Sequence, residues 1–350
     1  MTASRSRIAV FAGAAAALAG VVLCAIIDLN AAAAGWLVGF VFWAQILVGS
    51  LCLVMIHRLT AGGWGEIIAP VTEPAAAAVP LLVLLAVPVF LAIPALYPWT
   101  QHPPPVKPDV LSLYLNRPAF IVRSLVAFAG WTAFAFLLPR MGGGRGQLLA
   151  ALGLVFHAVV ISSVSIDWYL SIEAPFTSSS FGASVAVSSL MAALAWAAVW
   201  MPASEDDPAI GDVGALLLAT ILGITYIDFM AVLVIWYGDI PREVSWFVAR
   251  DHLPWSVLAV AAFALGAVIP TLALIQSAFR NRRRPLRVVG VITLIGIMAY
   301  DAYLIAPPMG TAALAPALLA IIGIGLLVIG VASFLARRAP SFAREPLNVR

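Results

Sequence analysis

Long apolar runs set the pattern of this chain, and short polar clusters separate them. A helix that crosses a bilayer needs about 20 mostly apolar residues. The chain offers ten such runs, at about 8–29, 35–57, 75–96, 117–138, 147–171, 181–201, 211–237, 254–280, 286–305 and 313–336. The expected fold is all-α: a polytopic membrane protein of about ten transmembrane helices, forming one integral membrane domain over residues 1–350. The first run follows Arg5 and Arg7 and precedes alanines 31–34, as a leader peptide would. It is longer than the apolar core of a leader, which spans about 7–15 residues, and so reads as a span.

Composition agrees with the pattern. Of 350 residues, 63% are hydrophobic and only 10% charged, where a soluble domain carries about 25%. Little mass lies outside the bilayer. The net charge of +3 comes from arginines in short loops and gives no nucleic-acid surface. Cys24 and Cys52 fall within apolar runs and read as small buried residues.

The basic residues orient the chain. With the N-terminus on the cytoplasmic side and ten alternating spans, the inner segments hold Arg5, Arg7, Arg58, Arg140, Arg145, Arg280, Arg282, Arg283, Arg284, Arg287, Arg337, Arg338, Arg344 and Arg350. The outer loops hold only Lys107, Arg117, Arg242 and Arg250, and Arg123 sits within a span. Such a bias predicts cytoplasmic termini.

The connections differ in character. Trp64 and Ile67-Ile68 predict a short interfacial helix before the third span. The proline-rich outer loop from Tyr97 to Asn116 predicts an extended, stiff segment. The seventh span leaves through Trp236-Tyr237, an aromatic pair typical of a membrane–water interface. A turn at Gly238-Asp239-Ile240-Pro241 follows, and then an amphipathic segment from Glu243 to Val248 that predicts a lid on the outer face. Glu205-Asp206-Asp207 reads as a solvated loop.

Candidate chemistry lies in the ionisable residues of the spans, each costing about 2.5–3.5 kcal/mol to insert at a helix centre. They are Arg123, His157, Asp167, Asp228 and Asp301, with Asp28 and Glu173 at helix ends. At about 1.5 Å per residue, Asp167 and Asp301 lie roughly 6 Å from the outer end of their helices, Arg123 roughly 9 Å, Asp228 roughly 13 Å and His157 roughly 20 Å. The polar residues therefore gather in the outer half. Ser163 shares a helix side with Asp167, and Thr225 with Asp228. A carboxylate and a histidine can accept protons as a quinol is oxidised, so the set reads as a proton path or a quinol-head-group site. The structural reading pairs Arg123 with a buried aspartate and leaves Asp28, Glu173 and Asp301 as end-caps.

A b-type haem needs two facing histidines, and the two that fall on helices, His57 and His157, lie at different depths. No phosphate-binding loop, H-E-x-x-H zinc motif or haem-attachment C-x-x-C-H occurs. The chain is expected to carry no cofactor of its own.

Two motifs carry a family resemblance. Asp167-Trp168-Tyr169-Leu170-Ser171-Ile172-Glu173 resembles the D-W-x-x-S-x-E signature of the F subunit of bacterial alternative complex III. Ile235-Trp236-Tyr237-Gly238-Asp239-Ile240-Pro241-Arg242-Glu243, with Ser245-Trp246-Phe247, resembles that family's I-W-Y-x-N-x-P-E-E…W-Y. Phe42 to Trp64, and Tyr97-Pro98-Trp99 through Tyr114-Leu115-Asn116, are also similar. Asp239 and Arg242 depart from the pattern, where the family has asparagine and an acid.

The resemblance implies two four-helix bundles flanked by the first and last helices. It implies a cofactor-free membrane subunit of a quinol:cytochrome c oxidoreductase in the bacterial inner membrane, structural and proposed to help conduct protons. The partners so implied are an iron–sulfur subunit, multi-haem cytochromes c, a terminal oxidase in some assemblies, and a related polysulfide-reductase-type (NrfD-like) membrane subunit. That related subunit is thought to hold the quinol; haem c and the iron–sulfur clusters would sit in the other partners. The alternatives are a quinone-interacting anchor of another polysulfide-reductase-like enzyme and a stand-alone secondary transporter. Transporters often show repeated halves with broken helices in corresponding positions. Pro80, Pro88 and Pro94 crowd one span here with no matching partner span.

Overall fold

A single non-helical residue separates the first two helices. Asp28 (φ −146°, ψ 101°) ends α1 (Thr2–Ile27) and caps α2 (Leu29–Thr60), its carboxylate accepting the Ala31 N–H at 3.0 Å. These helices belong to a computed structural model that describes residues 2–174, 176–205 and 207–336. No strand occurs among the described residues. Arg337, Arg338, Arg344, Arg350 and Asp206 lie outside them, as do the side chains of Arg5 and Arg7.

The third span departs most from the pattern. The stretch around Trp64 and Ile67-Ile68 is not a separate surface helix. It opens α3 (Gly63–Ala77), which continues after a bend of 51° into α4 (Leu81–Leu85) and α5 (Val87–Leu91), followed by α6 (Ile93–Leu96). Each proline in this run lacks an N–H and crowds the carbonyl four residues back. With Pro70, Pro74, Pro80, Pro88 and Pro94 so placed, the span breaks into short arms. The proline-rich loop is likewise not extended throughout. It contains a short α7 (Pro108–Leu113) and buries Trp99, which stacks on Tyr97 with ring centroids 5.6 Å apart.

The remaining helices follow in hairpin fashion: α8 (Arg117–Leu137), α9 (Gly143–Trp168), α10 (Phe181–Trp200), α11 (Ala209–Gly238) and the short α12 (Pro241–Val248). The turn from α11 to α12 is made by Asp239 at φ 42°, a left-handed position that aspartate tolerates better than most residues. The eighth span is α13 (Trp255–Phe263), a π-helical turn at Ala264–Val268 and α14 (Ile269–Ile275). The π turn precedes Pro270, which has no N–H for the carbonyl of Gly266. This span stops at Ile275 rather than running to 280, because Gln276 is extended and α15 (Ser277–Arg280) turns away. The last spans are α16 (Arg283–Ile305) and α17 (Leu314–Leu335). Nine described helices are long and apolar enough to cross a membrane, or ten with the bent pair counted as one span.

The packing can be divided into two groups of four that meet along α2 and α10. The helix α2, the broken third span, α8 and α9 form one; α10, α11, α13–α14 and α16 form the other. The first helix and α17 pack on each other and on α2, outside both groups. The centre is α2, apolar on all sides and enclosed on all sides, as such a helix must be. Backbones cross closely where side chains vanish. A Cβ on Gly49 of α2 would sit 2.0 Å from the Ser189 carbonyl oxygen of α10, and one on Gly296 of α16 would sit 2.2 Å from the Gly266 nitrogen in the π turn.

The two ends of the array differ in charge. At one, Arg58 donates to the carbonyls of Met141 (2.8 Å) and Leu138 (3.1 Å), Arg283 donates to that of Met201 (3.1 Å), and Arg284 pairs with Glu205. The opposite, arginine-poor end carries the connections that hold Lys107, Arg117 and Arg250.

Candidate functional site

Two serines on α10, Ser184 and Ser188, stand four residues apart and so face one way. Ser184 Oγ donates to Asp228 Oδ1 of α11 at 2.7 Å. One turn on, Ser188 Oγ donates to Gln45 Oε1 at 2.6 Å, and Gln45 Nε2 donates to both carboxylate oxygens of Asp301, each at 2.9 Å. The same Nε2 reaches Tyr169 Oη at 3.3 Å. Tyr300, next to Asp301 on α16, faces Asp228. A line of polar side chains therefore runs from Asp228 to Asp301 across α11, α10, α2 and α16. Among the described residues no cation pairs with either carboxylate. Hydroxyls and an amide are their partners, groups that both give and take hydrogen bonds.

Beside Asp228 the second bundle encloses a cavity of about 440 Å³. Asp228, Ser184, Ser188 and Tyr300 form its polar wall, and aliphatic and aromatic side chains form the rest. Pockets for small ligands have this build, a largely apolar lining with a few convergent polar groups, and volumes of about 300–1,000 Å³.

The segment expected as a lid is the helix α12, and two carboxylates fasten it. Glu243, buried, accepts from the Thr177 N–H at 3.0 Å and its Oγ1 at 2.8 Å. Arg250, also buried, pairs with Glu173 and lies 3.7 Å over the Trp246 ring. Trp246 in turn stacks on Phe176 at 4.7 Å and meets Tyr303 edge-on at 5.6 Å. Phe176, Trp246, Phe247 and Tyr303 all line the cavity, so the lid closes it at the arginine-poor end.

The five candidate residues of the spans divide between the bundles. Asp228 and Asp301 belong to the polar line. Arg123 and Asp167 pair in the first bundle through two bonds of 2.7 Å each, with the guanidinium 3.7 Å from the Tyr114 ring centroid and a further bond of 3.0 Å to the Tyr114 carbonyl. Outside the spans, burial and then the nearby Asp167 carboxylate raise the Tyr114 phenol above its ordinary value. His157 is buried in the first bundle, its ring centroid 6.0 Å from that of Trp131 and its Nδ1 without a partner. Among the described residues no continuous polar line joins His157 to Asp228.

The Asp167–Glu173 stretch acts as a strap. Asp167 holds Arg123, Trp168 Nε1 donates to Ser124 Oγ at 3.0 Å, Ser171 Oγ donates to the Asp167 carbonyl at 2.7 Å, and Glu173 holds Arg250. Gln45, Ser184, Ser188, Tyr300 and Arg250 were not among the expected site residues. Gln45 carried a readable signal, an amide in the middle of an otherwise apolar run. The serines carried none, since small hydroxyls pack anywhere in a membrane helix.

The fold and these side chains define an all-α, multi-pass membrane protein with a polar line that reaches from the second bundle to α2 and a lidded cavity inside the second bundle. Comparison with protein-family models finds no match, and comparison with curated proteins finds none either.

Proposed function

We propose that this chain is an integral membrane subunit, without a cofactor of its own, of a quinol-oxidising respiratory complex in the bacterial inner membrane, with both termini cytoplasmic. Its partners on this reading are an iron–sulfur protein, multi-haem cytochromes c and a related membrane subunit, with a cytochrome c or a terminal oxidase as electron acceptor. The polar line carries the proposal: Ser184 bonds Asp228, one turn away Ser188 and Gln45 bond toward Asp301, and among the described residues no cation pairs with either carboxylate. Ser184, Ser188 and Asp228 all face the cavity, where water could carry a proton between groups that do not touch, and hydroxyls and carboxyls can give and take it. The two motifs at Asp167–Glu173 and Ile235–Glu243 add the family resemblance.

The line stays in the half of the bundle near the arginine-poor end. Further toward the arginine-rich end, Ser50, Ser189 and Thr293 each donate back to a carbonyl four residues earlier in their own helix. Protons released by quinol oxidation would therefore leave toward the arginine-poor face. The transporter alternative finds less support. Its broken helices should hold corresponding places in two halves. Here the bent span is the second of its group and the π-turned span the third of the other.

A mild-detergent pull-down of the tagged chain, followed by haem staining and mass spectrometry, tests the reading. Haem-bearing cytochromes c and an iron–sulfur protein are the expected companions. A solitary, haem-free chain overturns it.

A further inference from the structure

We infer that the cavity of the second bundle is itself a binding site, entered sideways from the lipid, for a hydroquinone-class molecule: an uncharged aromatic ring bearing hydroxyls on an apolar tail. This goes beyond membership of a complex, because it assigns a ligand to this chain rather than to a partner.

The entrance comes from helix geometry. Toward the arginine-rich end, α11 packs on α14, α15 and the π turn; further toward the lid it barely touches α13. Phe229 of α11 and Phe263 of α13 line the cavity and are at the same time 61% and 59% exposed. A wall residue that is also outer surface marks an opening, and this opening faces the flank of two apolar spans, where lipid lies. The lid closes the other route, since Trp246 and Phe247 cover the end of the bundle.

Charge and depth select the ligand. Among the described residues, Asp228 is the one carboxylate that lines the cavity, and no arginine, lysine or histidine lines it. An anionic head group would meet a carboxylate with no cation to offset it. Asp228 is ten residues inside the end of α11 at Gly238, about 15 Å along the helix, whereas phospholipid head groups stay at the interface. A ring hydroxyl fits. It donates to a remaining lone pair of the Asp228 carboxylate, which Ser184 and Tyr300 already hold in place, and the aromatic side chains at the lid end supply faces and edges for the ring. An acceptor-only quinone carbonyl gains nothing from the carboxylate, so the site should prefer the reduced form.

The test uses the purified full chain in lipid nanodiscs, with an azido-substituted decylquinone, chemically reduced, as photoprobe. Mass spectrometry should place the label on 224–235, 259–267 or 296–304, and unlabelled decyl-hydroquinone should displace it. Ala262→Trp, which fills the cavity from α13, should abolish that displacement while the melting temperature reports intact folding. Asp228→Asn, which keeps shape and size, should weaken hydroquinone binding about tenfold and leave the oxidised form little changed, the effect of losing one charge-assisted hydrogen bond. Label scattered over lipid-facing helices and not displaced would overturn the inference. So would displacement by decanol as effective as by the hydroquinone, which would make the cavity a tail pocket only. A chain that binds the probe but pulls down no cytochrome would retain this site and lose the complex.

Discussion

Arg250 lies with its guanidinium 3.7 Å over the ring of Trp246, four residues earlier in the chain, and joins that ring to Glu173, which ends the strap after α9. One buried cation thus holds together the lid, the strap after α9 and the carbonyls of Trp246 and Tyr303. Removing its charge partner should loosen the lid before it loosens the bundle. In Glu173→Gln, amide hydrogens of α12 should exchange about 10–100 times faster, because a charge-assisted bond of about 1.5–3 kcal/mol no longer opposes local opening. Hydrogen-exchange mass spectrometry of 238–252 reads this directly; unchanged exchange would show that Glu243 alone fastens the lid.

The Arg123–Asp167 pair predicts a different pattern. Asp167 is 1% exposed and Arg123 21%, so neither partner is well hydrated when the other is removed. Asp167→Asn should cost about 3 kcal/mol, at the low end for breaking a buried pair because Arg123 keeps some access to water. The double variant Arg123→Met, Asp167→Leu should recover most of that loss. Thermal unfolding in one detergent compares the three proteins. A double variant as unstable as the single one would mean that the pair does more than neutralise itself, and would return it to the list of functional residues.

Much of this fold could be read from the chain. Ten apolar runs correspond to nine long apolar helices and one bent pair among the described residues, because apolar length is what a bilayer measures. The lid was legible at Gly238-Asp239-Ile240-Pro241, since a turn followed by an amphipathic octet has few other uses. The bent third span was half legible. Its prolines were visible, but where a helix with several prolines yields depends on its neighbours, and the arm at Gly63–Ala77 finds its packing on α2 and α10. The site was less legible still. Depth counting placed Asp228 and Asp301 toward the same end of the helix array, where the structure also has them. It could not show that they sit in one bundle with His157, Arg123 and Asp167 in the other. Helix periodicity fixes which residues share a face and leaves open which faces meet. Ser184 and Ser188 acquire meaning only because α10 lies against both α11 and α2.

The close approach of Gly296 and Gly266 makes a prediction about the eighth span. A methyl at Gly296 would sit 2.2 Å from the Gly266 nitrogen, which is backbone and cannot swing aside. Gly296→Ala should therefore destabilise by about 1–3 kcal/mol, as overpacking of a tight contact does, and displace the π turn that borders the cavity. A lowered melting temperature together with weakened hydroquinone binding is the expected result. The glycine Gly223 offers a control, because a Cβ there would meet Val187 at an ordinary 3.5 Å, and Gly223→Ala should leave both properties unchanged.

The polar line makes the most direct prediction about turnover. If Asp228 accepts protons and the cavity beside it passes them on, with Ser188 and Gln45 only holding the polar wall toward Asp301, the two positions should fail differently. Asp228→Asn keeps the bond from Ser184 but removes the proton acceptor, so quinol-dependent turnover of the assembled complex should fall by about 10²-fold, in the range general-base removal produces, with subunit composition intact. Ser188→Thr keeps a hydroxyl beside Gln45 and should retain most activity. Ser188→Ala removes it, leaves the buried Gln45 oxygen without a donor, and should both slow turnover and cost about 1–3 kcal/mol of stability. Steady-state rates over a pH series, with complex integrity checked by haem content, separate these effects. Full turnover in Asp228→Asn would confine the aspartate to shaping the cavity and would end the case for proton transfer through this bundle.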